Sequence, residues 1–283
     1  KNYNHFFLDI RLNKINLYVL FKTIVKFKFK SNFYRYICEY IKITNCKTVI
    51  TFNDNLVWFY KLKNDLKDVI TISIQNGHRR DFFFNDLKKN DELSCNYIFT
   101  WGKAFSKKFS QVVKAKTIEL GSFKNNLNQI KKNNNKTITY ISDLNENFNN
   151  HRYVDGKKFT FEEWYSAERK ILPILSNFCN ELNYDLKIIG KCRGSTTKKE
   201  REFYNKILNN KKFRFIENSD KYNCYEIIDD SFLVVGIYSA LILEAVSRKA
   251  KVAIFNLRKE LISENYNIFW PKKFSSEGFF LDR

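Results

Sequence analysis

A chain of 283 residues that is 44% hydrophobic can fill one large or two medium cores, which excludes disorder as the starting assumption. The net charge of +20 suits a phosphate-bearing ligand or an anionic surface, but Lys and Asn are abundant everywhere and the basic residues form no stripe. Six cysteines without a CxxC pair and three scattered histidines exclude an ordinary zinc site, and no run reaches the roughly 18 to 20 apolar residues that span a bilayer.

Cysteines inside apolar runs, such as Cys179, suggest buried thiols in a reducing compartment. No methionine occurs, so a chain clipped at its start is expected. Ile15 to Lys30 mixes Leu, Ile, Val and Phe with Lys22, Lys26, Lys28 and Lys30. Its first part reads as a helix and its last part alternates like a strand. A core-facing helix with a solvated edge is expected, and a basic amphipathic face for an anionic membrane surface is the other reading.

From Cys46 the rhythm is regular. Strands are predicted at Thr48–Phe52, Val69–Ile74, Asn96–Thr100 and Thr117–Leu120, with helical stretches after the first and third. Each strand delivers a polar or Gly-bearing loop at its carboxyl end. Strands alternating with helices mean βαβ units and a mainly parallel sheet. Leu127–Lys136 is polar and low in complexity, reads as a linker, and sets a boundary between a domain at 1–130 and a domain at 131–283.

The second half opens with a strand at Thr137–Ser142 and a long loop at Asn145–Lys158. Thr160 and Glu163 form a capping box for a helix to about Leu182, with a kink expected at Pro173. A strand at Leu186–Ile189, a helix from about Lys198 to Leu208, a strand at Phe213–Ile216 and a short helix near Tyr222–Ile228 follow. Ser231–Val235 and Lys251–Phe255 are apolar runs expected as buried strands, with Gly236 at the turn and Ser239 capping a helix to about Ser247. The fold class is α/β: two Rossmann-like domains with mainly parallel sheets and a cleft between them.

Three constellations carry chemistry. His78, in the polar loop Gln75, Asn76, Gly77, His78, Arg79, follows a buried strand, where an imidazole can take a proton from an attacking hydroxyl. The alternative is hydrogen bonding within its own turn. Gly190, Lys191 and Arg193, with Glu217, Ser239 and Glu244, offer cations and a helix N-terminus to a diphosphate and a carboxylate to ribose hydroxyls. A solvated basic loop beside an ordinary helix cap is the competing reading. Gly121–Asn126, which includes Ser122, either lines the cleft or braces the hinge. There is no Walker A, GxGxxG or Gly-x-Ser-x-Gly elbow, and no DxD pair in a clear loop, so neither a cofactor nor a divalent ion is invoked.

With these residues in view, the chain resembles bacterial surface-carbohydrate (O-antigen type) biosynthesis proteins of GT-B glycosyltransferase architecture. It is more distantly similar to CDP-glycerol glycerophosphotransferases and capsule Kdo-transferases. The matching blocks are ITFNDN at Ile50–Asn55, IQNGHR at Ile74–Arg79, GSFKNN at Gly121–Asn126, YIS at Tyr140–Ser142, SALILE at Ser239–Glu244, FWP at Phe269–Pro271 and EGFF at Glu277–Phe280. The resemblance implies transfer of a sugar or polyol-phosphate unit from a nucleotide-sugar or CDP-polyol donor, itself a substrate, to a glycan or lipid-linked glycan acceptor. It implies a cytoplasmic enzyme, peripheral at the inner face of the cytoplasmic membrane. Asp54, Gln75, Asn76, Gly77, Arg79 and Ser122 would belong to the acceptor side with His78 catalytic, and Gly190, Lys191, Arg193, Glu217, Ser239 and Glu244 to the donor side.

The chain departs from the family pattern of Ser-Thr-Leu-Gly-Tyr-Glu after an acid. Ala240 replaces a hydroxyl, Ile242 a glycine, and Tyr238 the acid, which implies altered donor choice or weaker donor binding. The family also continues into closing helices beyond Phe280. A catalytically degenerate binding or assembly protein of the same fold is the alternative. A nucleic-acid-binding protein has less support, because no nucleic-acid module is recognisable.

Overall fold

The computed structural model describes residues 6, 8, 15–27, 33–131, 133, 135–145, 152–154, 156–209, 211–219, 223–255, 257–258 and 261. The blocks at Phe269–Pro271 and Glu277–Phe280 and the alternating residues 28–30 lie outside them. By its internal contacts the chain divides into two units, residues 1–79 with 83–121, and residues 80–82 with 122–283.

In the first unit, helices α1 (Leu17–Phe27) and α2 (Phe33–Ile43) precede strand β1 (Thr48–Thr51). A 3-10 turn (Val57–Lys61) runs into α3 (Leu62–Asp65), followed by β2 (Ile70–Ile74), α4 (Asp81–Lys88), β3 (Ser94–Thr100), α5 (Lys103–Ser110) and β4 (Lys114–Glu119). The four strands lie in sequence order and every pairing is parallel. The sheet and helices enclose one core that includes Val19, Ile37, Phe59, Tyr60, Leu62, Phe84, Leu87, Ile98 and Phe109. Helix α1 buries Val19 and Thr23 and leaves Leu17, Tyr18, Phe21 and Val25 exposed. It is therefore core-facing, as expected, but its outer edge is more apolar than a solvated edge needs to be.

The second unit begins with α6 (Phe123–Asn126) and β5 (Asn135–Ile141). The hairpin β6 (Arg152–Val154) and β7 (Lys157–Phe159), then α7 (Phe161–Trp164), α8 (Ser166–Leu182), β8 (Asp185–Ile189), α9 (Thr196–Leu208) and β9 (Arg214–Ile216) come next. The last elements are α10 (Cys224–Asp229), β10 (Ser231–Gly236), α11 (Ala240–Ser247) and β11 (Val252–Ile254). The main sheet is parallel, in the order β11-β10-β5-β8-β9. Strand β5 is buried on both faces: Ile138 and Tyr140 meet Leu172, Leu175, Ile188 and Tyr204, while Ile141 meets Val234, Ile242 and Ala245.

Three expectations are corrected. The predicted loop at Asn145–Lys158 contains the antiparallel pairing of β6 with β7, turned at Gly156, whose φ of +71° favours glycine. The helix opened by the Thr160–Glu163 capping box breaks at Tyr165, and α8 is helical through Pro173. The segment read as a linker is fastened to the second unit. Arg248 donates to the carbonyls of Asn128 and Gln129, both at 3.0 Å, and the Lys131 amide donates to Asp229 at 2.8 Å.

Candidate functional site

In the second unit the chain leaves β5 for β8 and β9 on one side, then returns to place β10 and β11 on the other. Open α/β sheets bind ligands outside the carboxyl ends of their strands at such a reversal, because the flanking connections diverge there. The loops delivered to this edge are Ser142–Asn145 after β5, Gly190–Arg193 after β8, Glu217–Ser219 after β9 and Ile237–Ser239 after β10. The predicted Gly190, Lys191, Arg193, Glu217 and Ser239 are thus brought to one edge. Ser239 and Gly190 follow strands two spacings apart, roughly 10 Å.

Glu200, fully buried on α9, organises the β8 loop. Its carboxylate accepts from the Ser142 hydroxyl at 2.5 Å, the Lys191 amide at 3.0 Å and the Cys192 amide at 2.9 Å. A Cβ at Gly190 would lie 2.6 Å from Phe215 Cζ and 3.0 Å from Glu200 Oε2, so glycine is needed for close approach. Lys191 Nζ donates to the Asp143 carbonyl at 3.1 Å, and Asn218 ties the neighbouring loop to the Lys191 carbonyl at 2.7 Å. Glu217 pairs with Arg201. A cavity of ≈ 300 Å³ opens beside this pair, lined also by Gly194, Thr197, Lys198 and Asn218.

Ser239 occupies the N-cap of α11, yet its hydroxyl makes no capping bond and has no hydrogen-bond partner among the described residues. Ile242 is fully buried against Gly236, so its bulk goes into the core and not over the edge. Glu244 lies in the second turn of α11, away from its N-terminus. One of its oxygens accepts from Ser122 and the other from Tyr225, at 3.1 Å. Burial raises the Glu244 carboxyl above its ordinary range, and these two hydrogen bonds oppose the rise. Ser122, grouped with the acceptor side by sequence, instead caps α6 and holds Glu244 in the second unit.

Sequence reasoning missed the charges beneath this edge. Arg258 is buried against Asp143 (2.5 Å) and Glu168 (2.6 Å) and also donates to the Trp164 carbonyl. Burial pushes Glu168 up to about 8, helped by the charge of Asp143 and opposed by Arg258. Burial acts on Asp143 in the same sense but is outweighed by the Arg258 guanidinium, so its carboxyl lies below the usual range. Within the cluster, burial thus favours the protonated form of Glu168, while the Arg258 guanidinium favours the ionised form of Asp143. Asp143 had a legible signal, since it directly follows an apolar strand; Glu168 and Arg258 had none.

In the first unit, Asp54 is fully buried and grips Arg79 with both oxygens, 2.7 Å from Nε and 2.5 Å from the terminal nitrogen. Arg79 also donates to Asn76 Oδ1 at 2.7 Å, and the Asn76 amide donates to Asp54 at 3.2 Å. Gln75 is buried, donating to the Gly77 carbonyl at 2.9 Å and accepting from the Trp101 amide at 2.8 Å. These residues come together as the frame of a turn. His78 projects half-buried from that frame, its ring edge-to-face with Phe105 at 5.5 Å. Among the described residues no group of three or more His, Cys, Asp or Glu is placed to hold a metal.

A family described as "putative O-antigen biosynthesis protein" matches residues 72–282, three quarters of the chain. The chain belongs to this family. No curated protein matches it. Among solved structures, S. aureus MnaA with UDP is similar at 13% identity and a TM-score of 0.50, over 85% of this chain and 64% of that one. The UDP-GlcNAc 2-epimerase of Neisseria meningitidis bound to UDP-GlcNAc gives 10% identity and a TM-score of 0.46, over 80% and 64%. TarM gives 15% and 0.44, over 80% and 45%. The chain thus spans less than two thirds of the length of each. With its two parallel α/β sheets, this member of the O-antigen biosynthesis family has a GT-B-like fold, as the resemblance implied.

Proposed function

We propose that this O-antigen biosynthesis protein is a metal-independent transferase. It takes a nucleotide-activated donor at the carboxyl edge of the second sheet and passes a sugar or polyol-phosphate unit to a glycan or lipid-linked glycan acceptor. The observation that carries this reading is the half-buried Ser239 hydroxyl at the head of α11, without a hydrogen-bond partner among the described residues, beside the reversal of strand order. Lys191 and Arg193 supply positive charge for a leaving diphosphate, and the cavity beside Glu217 suits a base or ribose. The UDP in the MnaA structure supports placing UDP compounds first among donors to test.

In this reading His78 accepts the proton of the acceptor hydroxyl. The acceptor oxygen bonds to the transferred carbon or phosphorus, and the bond to the nucleotide breaks, its electron pair leaving with the nucleotide phosphate. Asp54, Gln75, Asn76, Gly77 and Arg79 hold the turn that presents His78. Glu244 and Ser122 fasten the second unit.

Calorimetry with UDP-, CDP-, CMP- and GDP-linked compounds, and an oligonucleotide as control, tests the proposal. One nucleotide class should bind, and Ser239→Ala with Arg193→Gln should weaken it about tenfold or more. Silence from every nucleotide, or tight oligonucleotide binding that collapses with salt, rejects it. Nucleotide binding without transfer would favour the degenerate binding protein.

A peripheral place at the cytoplasmic face of an anionic membrane is part of the same proposal. Exposed Leu17, Tyr18, Phe21 and Val25 beside Lys22 and Lys26 on α1 support it. No described helix is long and apolar enough to cross a membrane. Phe21→Glu should reduce co-sedimentation with phosphatidylglycerol vesicles, and unchanged binding would reject that placement.

A further inference from the structure

The opposite end of the second sheet also carries a depression. A cavity of ≈ 660 Å³ opens where β5, β8 and β9 begin. Four cations line it: Lys136 from β5, Lys187 from β8, Lys212 from the connection just before β9, and Arg214 from the start of β9. Asp185 is the acid among the lining residues. Among the described residues none of the four cations has an ion-pair or hydrogen-bond partner for its side chain.

An ordinary explanation for lysines here is that they answer the carbonyl ends of α8 and α9, which finish nearby. The contacts do not bear it out, because none of the four donates to those carbonyls. Like charges gathered around a hollow repel one another, and an anion within the hollow relieves that repulsion.

The other lining groups narrow the anion. Asn135, Asn180 and Asn183 present side-chain amides that make no hydrogen bond among the described residues. Each amide can both donate and accept, which suits vicinal hydroxyls. Tyr184, also in the lining, is braced by Phe232 with ring centroids 5.0 Å apart. Lys136, Lys187 and Arg214 stand on three adjacent strands, so they span two strand spacings, roughly 10 Å, more than one phosphate can bridge. The hollow is concave, which a flat bilayer cannot fill.

We infer that this amino-edge cavity is a second binding site, distinct from the donor edge, for a saccharide carrying more than one carboxylate or phosphate. It would hold an acidic glycan segment through Lys136, Lys187, Lys212 and Arg214, with the Asn amides on its hydroxyls. The site does not depend on transferase chemistry at the other edge.

Calorimetry on the full chain with trigalacturonate as probe tests this, using maltotriose, inorganic phosphate, phosphatidylglycerol vesicles and a UDP-sugar alongside. Trigalacturonate should bind and maltotriose should not. Lys212→Gln with Arg214→Gln, and separately Lys136→Gln with Lys187→Gln, should each weaken trigalacturonate about tenfold or more, leaving UDP-sugar affinity and thermal midpoint unchanged. No binding, or binding that both pairs leave intact, overturns the inference. So does phosphate binding as tightly as the saccharide, or vesicle binding that depends on the same four residues. Loss of saccharide binding with retained nucleotide binding would remove this site alone, and the reverse would remove only the donor proposal.

Discussion

Ile242 sits directly over Gly236: a Cβ placed on the glycine would lie 2.3 Å from Ile242 Cδ1. Helix α11 therefore packs on the end of β10 at a separation only glycine permits. Gly236→Ala should cost about 1–3 kcal/mol by overpacking. Ile242→Val removes the clashing methyl, so the double variant should recover part of that loss. Denaturant unfolding of the four proteins of this cycle checks it, and simple additivity would deny the contact.

Gly190 makes a different demand. Its added Cβ would strike the Phe215 ring and approach the Ile216 carbonyl, 3.2 Å away, as well as the Glu200 carboxylate that shapes the loop. Gly190→Ala should lower nucleotide affinity more than tenfold with a smaller loss of stability. Calorimetry and a thermal melt on one preparation separate the two effects.

Arg248 and Asp229 form a fully buried pair, at 2.5 Å and 2.8 Å, that holds the segment from Asn125 to Lys131. Removing one partner leaves a buried charge, so Asp229→Ala should destabilise the protein by about 3–5 kcal/mol. Replacing both by apolar residues should cost less than either single change. Equilibrium unfolding of the three variants gives the comparison.

Glu168 gives the protein a pH signature. Its folded value of about 8 stands above the ordinary 4.5, so between these limits the folded state holds a proton that the unfolded state has released. Stability from this group is present below about pH 4.5 and is lost as pH rises toward 8. The slope approaches about 1.4 kcal/mol per pH unit at most. Glu168→Gln should flatten unfolding free energy across that window. An unchanged profile would show that another group sets it.

His78→Ala should abolish transfer while leaving nucleotide affinity nearly intact. Asp54→Asn, which breaks the two-oxygen grip on Arg79, should lower transfer and stability together, because it loosens the turn. Product formation and unfolding midpoints measured in parallel distinguish a catalytic role from a framing one.

The strands were the most legible part of the chain. Leu233–Val235 is apolar without alternation, as suits a strand buried on both faces, and the structure pairs it in parallel with Ile138–Tyr140 of β5. The hairpin β6-β7 was hidden because polar residues such as Lys157 and Lys158 hide strand character. Asp54 and Gln75 were legible as members of a polar loop. Their burial was not, since it depends on where Arg79 and Trp101 fold back.

While helices α2 and α4 and the β6-β7 hairpin escaped it, the sequence by itself determined the α/β class, the parallel-sheet strands in their order, and the polar loops at the strand ends. Those follow from local periodicity, caps and turn residues, which act over a few positions. Tertiary structure alone decided that Ser239 caps nothing, that Ile242 turns into the core, and that Glu244 is bonded to Ser122, 122 positions away. It also assembled Asp143, Glu168 and Arg258 from distant segments. Charge pairs of this kind carry no local signature, because burial and a partner's position set their energies and both exist only once the chain has folded.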